Sequence, residues 1–172
     1  MVSKAIMTSG STEWETPGDL FDLLNEEFHF TLDPCATPAN TKCECYFDKS
    51  QDGLSKNWSK YSNSVFCNPP YGNRVVDKWM KKAYEEAVFN NITVVCLIPS
   101  RTDTGWWHGF VSMAHEIRFL KGRVSFDNSE RSSENSSTFP SAVIIFKRGR
   151  GETPIIRFWN WRKDIEKLKN MK

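Results

Sequence analysis

Apolar residues along this chain switch repeatedly between helical and strand periods, and the switches outline a sheet with helices between its strands. Leu20, Phe21, Leu23, Leu24 and Phe28 fall on one face of about three helical turns. Thr16 suits a helix cap and Pro17 the first helical position. Phe28-His29-Phe30-Thr31-Leu32 alternates apolar and polar side chains, which predicts a first strand. A turn-rich stretch over 36–50 contains a short strand at Tyr46-Phe47. Val65-Phe66-Cys67 is a brief apolar run suited to a buried strand. Val76, Trp79, Met80, Ala83 and Ala87 recur at helical spacing after the capping residue Asn73. Lys78, Lys81, Lys82, Glu85 and Glu86 make the opposite, solvated face. Ile92 to Ile98 is nearly continuous and β-branched, as in a strand covered on both faces. Strand, helix and strand in that order predict a right-handed parallel crossover. Asp103 or Thr104 then caps a helix holding Trp106, Trp107, Phe110 and Met113. Glu116 to Leu120 and Arg123 to Phe126 read as short strands around Lys121-Gly122. Ser141 to Phe146 is another strand, and Ile155 to Trp161 with the basic tail to Lys172 makes a strand and a short helix.

Two stretches carry no such pattern. Residues 1–13 are small and polar and are expected to fray. Residues 127–138 hold five Ser, one Thr and two Asn but no large apolar side chain. They cannot pack a core, so a loop is expected that is mobile without a partner and helps to engage one. The whole chain, 1–172, reads as a single domain. With 12 Phe and 7 Trp among 172 residues it has the means to build one core. No apolar run approaches the ~18 residues of a membrane span, and Met1 to Gly10 lacks a signal core. The five cysteines, Cys35, Cys43, Cys45, Cys67 and Cys96, are odd in number, and Cys67 and Cys96 fall within strands. That pattern fits reduced thiols in a cytoplasmic compartment. Cys43 and Cys45 have no second half-site, so no metal site is expected. The net charge of +2 leaves a polyanion partner to be recognised by a local basic patch.

The chemistry gathers where strands stop. Val65-Phe66-Cys67 ends in Asn68-Pro69-Pro70-Tyr71-Gly72, and prolines cannot continue a ladder. Asn68 therefore stands at the carboxyl end of a strand, where open α/β sheets bind ligands. Its side chain offers one acceptor and two donors, and Tyr71 offers a flat ring for stacking. The first strand ends similarly in Asp33-Pro34-Cys35-Ala36. Asp48 follows the Tyr46-Phe47 strand, and Asp52-Gly53-Leu54 precedes Trp58, a residue equally suited to the core. Pro99-Ser100-Arg101-Thr102-Asp103 ends a further strand at the same edge.

The Asn68-Pro69-Pro70-Tyr71 tetrad resembles the catalytic motif of amino-group methyltransferases that use S-adenosylmethionine. Adenine-N6, some cytosine-N4 and protein-glutamine enzymes share it, so the tetrad alone does not choose among them. Thr16-Pro17, Asp33-Pro34-Cys35, Asp52-Gly53-Leu54 with Trp58, and Pro99-x-Arg101-Thr102-Asp103-x-x-Trp106-Trp107 are similar to segments of the small phage-type DNA N6-adenine methyltransferases. The resemblance runs from about Trp14 to Phe146. It implies a Rossmann-like class I methyltransferase, α/β, with a mixed, mainly parallel sheet flanked by helices. It implies S-adenosylmethionine as cofactor and double-stranded DNA as partner, in the host cytoplasm if the protein is phage-encoded. Thr16 and nearby amides would hold the methionine carboxylate, with Pro17 opening the helix behind them. Asp33, beside Cys35, would hold the ammonium. Asp48 would reach the ribose, Asp52 would accept from the amino group of the cofactor's adenine, and Leu54 or Trp58 would flank that ring. Asn68 would border the cofactor and, with the Pro69 carbonyl, accept the target amine's hydrogens, with Pro70 shaping the turn and Tyr71 stacking. Arg101, Lys121, Arg123 and Arg131 would meet DNA, and Phe126 or Phe139 would form a second aromatic wall. Cytosine-N4 or glutamine methylation, or DNA binding without catalysis, are the competing functions.

Overall fold

The computed structural model describes residues 14–72, 74–126, 139–149 and 153–171. Asn73, Arg131 and the rest of 127–138 lie outside the described residues, as does the segment 1–13. The architecture is a seven-stranded sheet with helices packed on it. The strands are β1 (Leu32–Asp33), β2 (Cys45–Tyr46), β3 (Ser64–Cys67), β4 (Thr93–Pro99), β5 (Glu116–Leu120), β6 (Ser141–Phe146) and β7 (Ile155–Trp159). Their order is β2-β1-β3-β4-β6-β5-β7. β6 alone runs antiparallel to its two neighbours, and every other pairing is parallel. The sheet is thus mixed and mainly parallel, as the α/β reading required.

The helices are α1 (Gly18–Phe28), α2 (Val76–Asn90), α3 (Gly105–Gly109) and α4 (Trp161–Met171). α1 buries Leu20, Phe21 and Leu24, the middle of its predicted face. Its N-cap is Pro17, and no side chain caps it. Thr16 is therefore not a helix cap, and its hydroxyl is engaged elsewhere. α1 also consumes Phe28, and His29 closes it in a left-handed conformation. The first strand is accordingly shorter and later than alternation suggested. α2 starts at Val76 behind an N-cap at Val75, again without a side-chain cap. Its predicted polar face has one exception, because Glu86 is only 2% exposed. Lys82 reaches it at 2.6 Å and Asn90 donates to it at 2.8 Å, so the charge is buried with partners.

Arg123 to Phe126 forms no strand. The carbonyls of Lys121 and Arg123 accept instead from the Arg162 guanidinium on α4, at 3.1 and 2.5 Å. Gly122, at φ +79°, turns the chain beneath that guanidinium, and a Cβ there would meet Arg162 Nη1 at 2.7 Å. Val124 and Phe126 are buried all the same.

Arg118 ties α1 to β5, next to the edge strand β7. It donates to both carboxylate oxygens of Glu27 at 2.6 Å and to Glu116 at 2.7 Å. Its guanidinium also lies between the rings of Phe28 and Trp159. Arg118→Ala takes from buried Glu116 one of its two guanidinium partners and from half-exposed Glu27 its bidentate pair, and should cost ~2–3 kcal/mol in urea unfolding. Burial pushes Glu116 up, but bonds from Arg118 and Arg157 outweigh it and hold the carboxyl below its usual range. A carboxylate lowered on folding adds stability above its unfolded pKa, and that stability is lost as pH falls through the folded value. Wild type should therefore lose stability faster than Arg118→Met as pH drops below the ordinary glutamate value of 4.5.

Candidate active site

Because β1, β3 and β4 are parallel neighbours, their carboxyl ends share one edge. Asp33 ends β1, Asn68 follows β3, and Ser100 follows β4. A cavity of about 390 Å³ opens there, walled by Pro34, Cys35, Asp48, Asp52, Gly53, Asn68, Pro69, Pro70, Trp79 and others. A smaller pocket of about 30 Å³ adjoins it, lined by Thr16, Asp33, Lys42 and Phe66 among others. Trp14, Cys35, Asn40 and Asn68 line both.

The floor of the larger cavity depends on a close backbone approach. A Cβ on Gly53 would lie 1.9 Å from the Pro34 carbonyl oxygen and 3.3 Å from Trp79. Trp58 pins this turn by donating its indole N–H to the Gly53 carbonyl at 2.8 Å, and it is fully buried. It belongs to the core, stacked on Trp79. Trp79 supplies the cavity wall instead. Leu54 packs against the core and is not among the walls of either pocket. Gly53→Ala should lower the thermal midpoint and weaken small-molecule binding in the cavity together, through ~1–3 kcal/mol of overpacking. Calorimetry and thermal unfolding would check both.

Asp33 is 6% exposed. Burial pushes its carboxyl up to about 7, against the Cys35 N–H, the Cys35 thiol and Lys42, which pull it down. Burial likewise pushes the Cys35 thiol up to about 11, so it stands as a neutral thiol 3.7 Å from Cys67. Asp48 folds back on its own turn, with Oδ1 accepting from Ser50 and Gln51. Those bonds, Ser50's first, hold it below the usual carboxylate range. Asp52 adopts a left-handed backbone, φ 50°, at the cavity rim.

Asn68 is held at both ends of its amide. Nδ2 donates to the Trp14 carbonyl and, at 2.9 Å, to the Thr16 hydroxyl. Oδ1 accepts from the Tyr71 hydroxyl at 2.6 Å, and that hydroxyl also reaches the Leu97 carbonyl at 3.1 Å. Tyr71 is 6% exposed. Its ring meets Phe126 and Phe139 nearly at right angles, and Trp14 packs on both of those rings at 5.4 Å.

The remaining sequence candidates sit apart from the cavity. Arg101 is exposed, and among the described residues no ion pair joins it to Asp103. Lys121 and Arg123 are exposed on the segment leading to Phe126. Pro17 borders a separate groove with Ser125, Trp161 and Arg162. Sequence reasoning missed Trp14, Asn40, Lys42 and Trp79 as lining residues. Only the proximity of Trp14 to Thr16-Pro17 hinted at one of them.

Comparison with known proteins bears on this geometry. The chain is 29% identical over 152 residues to the DNA N-6-adenine-methyltransferase of Haemophilus phage HP1, covering 83% of this chain and 86% of that relative. It is 29% identical over 115 residues to the DNA N-6-adenine-methyltransferase of Escherichia phage T1, covering 66% of this chain but 47% of that relative. The family model described as DNA N-6-adenine-methyltransferase (Dam) matches residues 4–171, nearly the full length and every strand that shapes the cavity, so the chain belongs to that family.

Proposed function

We propose that the protein transfers a methyl group from S-adenosylmethionine to the N6 amino group of adenine in double-stranded DNA, with Asn68 receiving the amine. The observation that carries this is the position of Asn68, which lines both pockets at once. A side chain where the two pockets meet stands beside the middle of a cofactor that spans them, where the methyl to be transferred lies, and can hold the amine that receives it.

The lining fits the cofactor. A cavity of about 390 Å³ suits a nucleoside-sized ligand. Asp33 offers an anion to the ammonium, and Lys42 offers a cation to the carboxylate beside it. The Thr16 hydroxyl accepts from Asn68 and keeps its own hydrogen for that carboxylate. Asp48 binds its turn through Oδ1, which leaves Oδ2 for ribose hydroxyls. Trp79 and Pro70 give apolar walls for the adenine, and Asp52 stands at the rim. S-adenosylmethionine, when bound, supplies a methyl already activated on a sulfonium. No nucleophilic side chain is needed, in keeping with the neutral Cys35 thiol.

An exocyclic amine is a weak nucleophile because its lone pair is delocalised into the ring. Asn68 Oδ1 and the Pro69 carbonyl accept its two hydrogens, draw the nitrogen toward tetrahedral geometry and stabilise the charge growing on it. Orientation of amine against methyl supplies much of the remainder, ~7–11 kcal/mol in favourable systems. The base must leave the duplex to reach Asn68. Tyr71 can then present a face only if Phe126 or Phe139 draws away from its ring. Stacking worth ~1–3 kcal/mol offsets part of the unstacking.

The test is to incubate unmethylated duplex DNA with methyl-labelled cofactor, digest to nucleosides and identify the labelled product. Label in N6-methyladenine is expected. Label in N4-methylcytosine, or only in protein, would replace this reading with one of its competitors. Among the described residues no helix is long and apolar enough to cross a membrane.

A further inference from the structure

The amide of Asn68 has two possible orientations, and only one serves an incoming amine. The side chain must aim oxygen, an acceptor, at the hydrogens to be held. Its neighbours decide which way it faces. The Trp14 carbonyl can only accept, and it lies within hydrogen-bond reach of one end of the amide. Oxygen placed there would oppose oxygen, so the NH₂ group must take that side. The second hydrogen of the same NH₂ goes to the Thr16 hydroxyl at 2.9 Å. Oδ1 is thereby left on the Tyr71 side. Thr16 is 4% exposed, so water does not compete for this bond.

The Tyr71 hydroxyl has one hydrogen and two acceptors in reach, Asn68 Oδ1 at 2.6 Å and the Leu97 carbonyl at 3.1 Å. Given to Oδ1, the hydrogen satisfies the catalytic oxygen at rest. Turned to Leu97, it frees Oδ1 for a donor on the substrate.

We propose that Thr16 is a positioning residue for methyl transfer: with the Trp14 carbonyl it fixes the Asn68 amide with oxygen toward the target amine, while the Tyr71 hydroxyl holds that oxygen until the amine replaces it and then turns to Leu97. This rests on the reading of Asn68 as the amine's acceptor. It gives Thr16 a role beyond any bond to the cofactor, and it gives the Tyr71 hydroxyl a role that stacking alone does not require.

The experiment compares wild type, Thr16→Val, Thr16→Ser and Tyr71→Phe. It measures kcat on duplex DNA at saturating S-adenosylmethionine, cofactor Kd by calorimetry, and the thermal midpoint. Valine keeps the shape of threonine and cannot accept from Nδ2. Thr16→Val should lower kcat about tenfold at saturating cofactor, the worth of one orienting hydrogen bond, and should separately weaken Kd through the lost bond to the cofactor's carboxylate. Thr16→Ser should restore kcat, since it returns the acceptor. Tyr71→Phe keeps the ring and should lower kcat several-fold with Kd unchanged, and it decides the matter if the valine variant fails to fold. Full kcat in Thr16→Val at saturating cofactor would make Thr16 a cofactor ligand or a packing residue only. A folded Thr16→Ser no better than valine would also overturn the proposal. Wild-type protein that methylates no adenine would strike the functional reading itself. An active wild type with unimpaired variants would strike this inference alone.

Discussion

Asn68→Ala should lower kcat by about 10²–10³-fold, the usual cost of removing one preorganised group that meets developing charge. Cofactor affinity should change within a few-fold, because on the proposed reading Asp33 meets the ammonium and Lys42 the carboxylate, while Asn68 meets the amine. The fold should survive. Asn68 sits in the loop after β3, and the strand itself is held by β1 and β4 on its two sides. The substitution does leave the Trp14 carbonyl, the Thr16 hydroxyl and the Tyr71 hydroxyl without their shared partner, so a small fall in thermal midpoint is expected. Single-turnover methylation alongside cofactor calorimetry separates the two effects. Equal losses in both would mean that Asn68 serves the cofactor, and the target amine would need another acceptor.

The reason Asn68 could be found in the sequence is also the reason its partners could not. An apolar run that stops at two prolines marks a strand end by local chemistry alone, and a polar residue at a strand end marks a ligand edge. Asp33 was legible in the same way. β4 and β6 matched their apolar runs because strands buried on both faces leave little choice of register. Residues whose role depends on another segment were not legible. Thr16 reads locally as a helix cap, but its hydroxyl bonds to Asn68 from 52 positions away. Lys42, in a turn-rich stretch, meets Glu15 and the Asp33 pocket only because β2 folds beside β1. Glu86 falls on the polar side of its helix by periodicity, and Lys82 and Asn90 escort it into the interior. Arg123 to Phe126 has strand composition, but Arg162 takes the Arg123 carbonyl at its start and that of Lys121 just ahead of it. Local periodicity reports propensity and facing. It does not report which distant donor will claim a carbonyl.

Asp33→Asn should weaken S-adenosylmethionine binding and stabilise the free protein at the same time. The carboxyl's rise from 3.8 to about 7 on burial has two consequences of opposite sign. An acid raised on folding contributes most when protonated. Its burden on the free protein therefore begins as pH climbs past the unfolded value and is complete above about 7. That burden is worth at most about 4 kcal/mol, at ~1.4 kcal/mol per pH unit. An amide escapes it and can still accept the Cys35 N–H that now reaches Oδ1 at 3.2 Å. Binding runs the other way. The cofactor's ammonium needs the carboxylate, and charged hydrogen bonds of this kind are worth ~1.5–3 kcal/mol, or roughly 10- to 150-fold in affinity. Below about 7 the wild-type carboxyl must first give up a proton, so cofactor affinity should fall toward tenfold for each further pH unit. In Asp33→Asn that slope should vanish. Calorimetric titrations from pH 5.5 to 8.5, in buffers of different ionisation heat to count released protons, would measure it. Parallel unfolding curves without cofactor would read the stability gain. A wild-type affinity that is flat across this range would mean that Asp33 is not the ammonium's partner, and an asparagine variant no more stable than wild type at pH 8 would mean that its carboxylate is hydrated well enough to ionise freely.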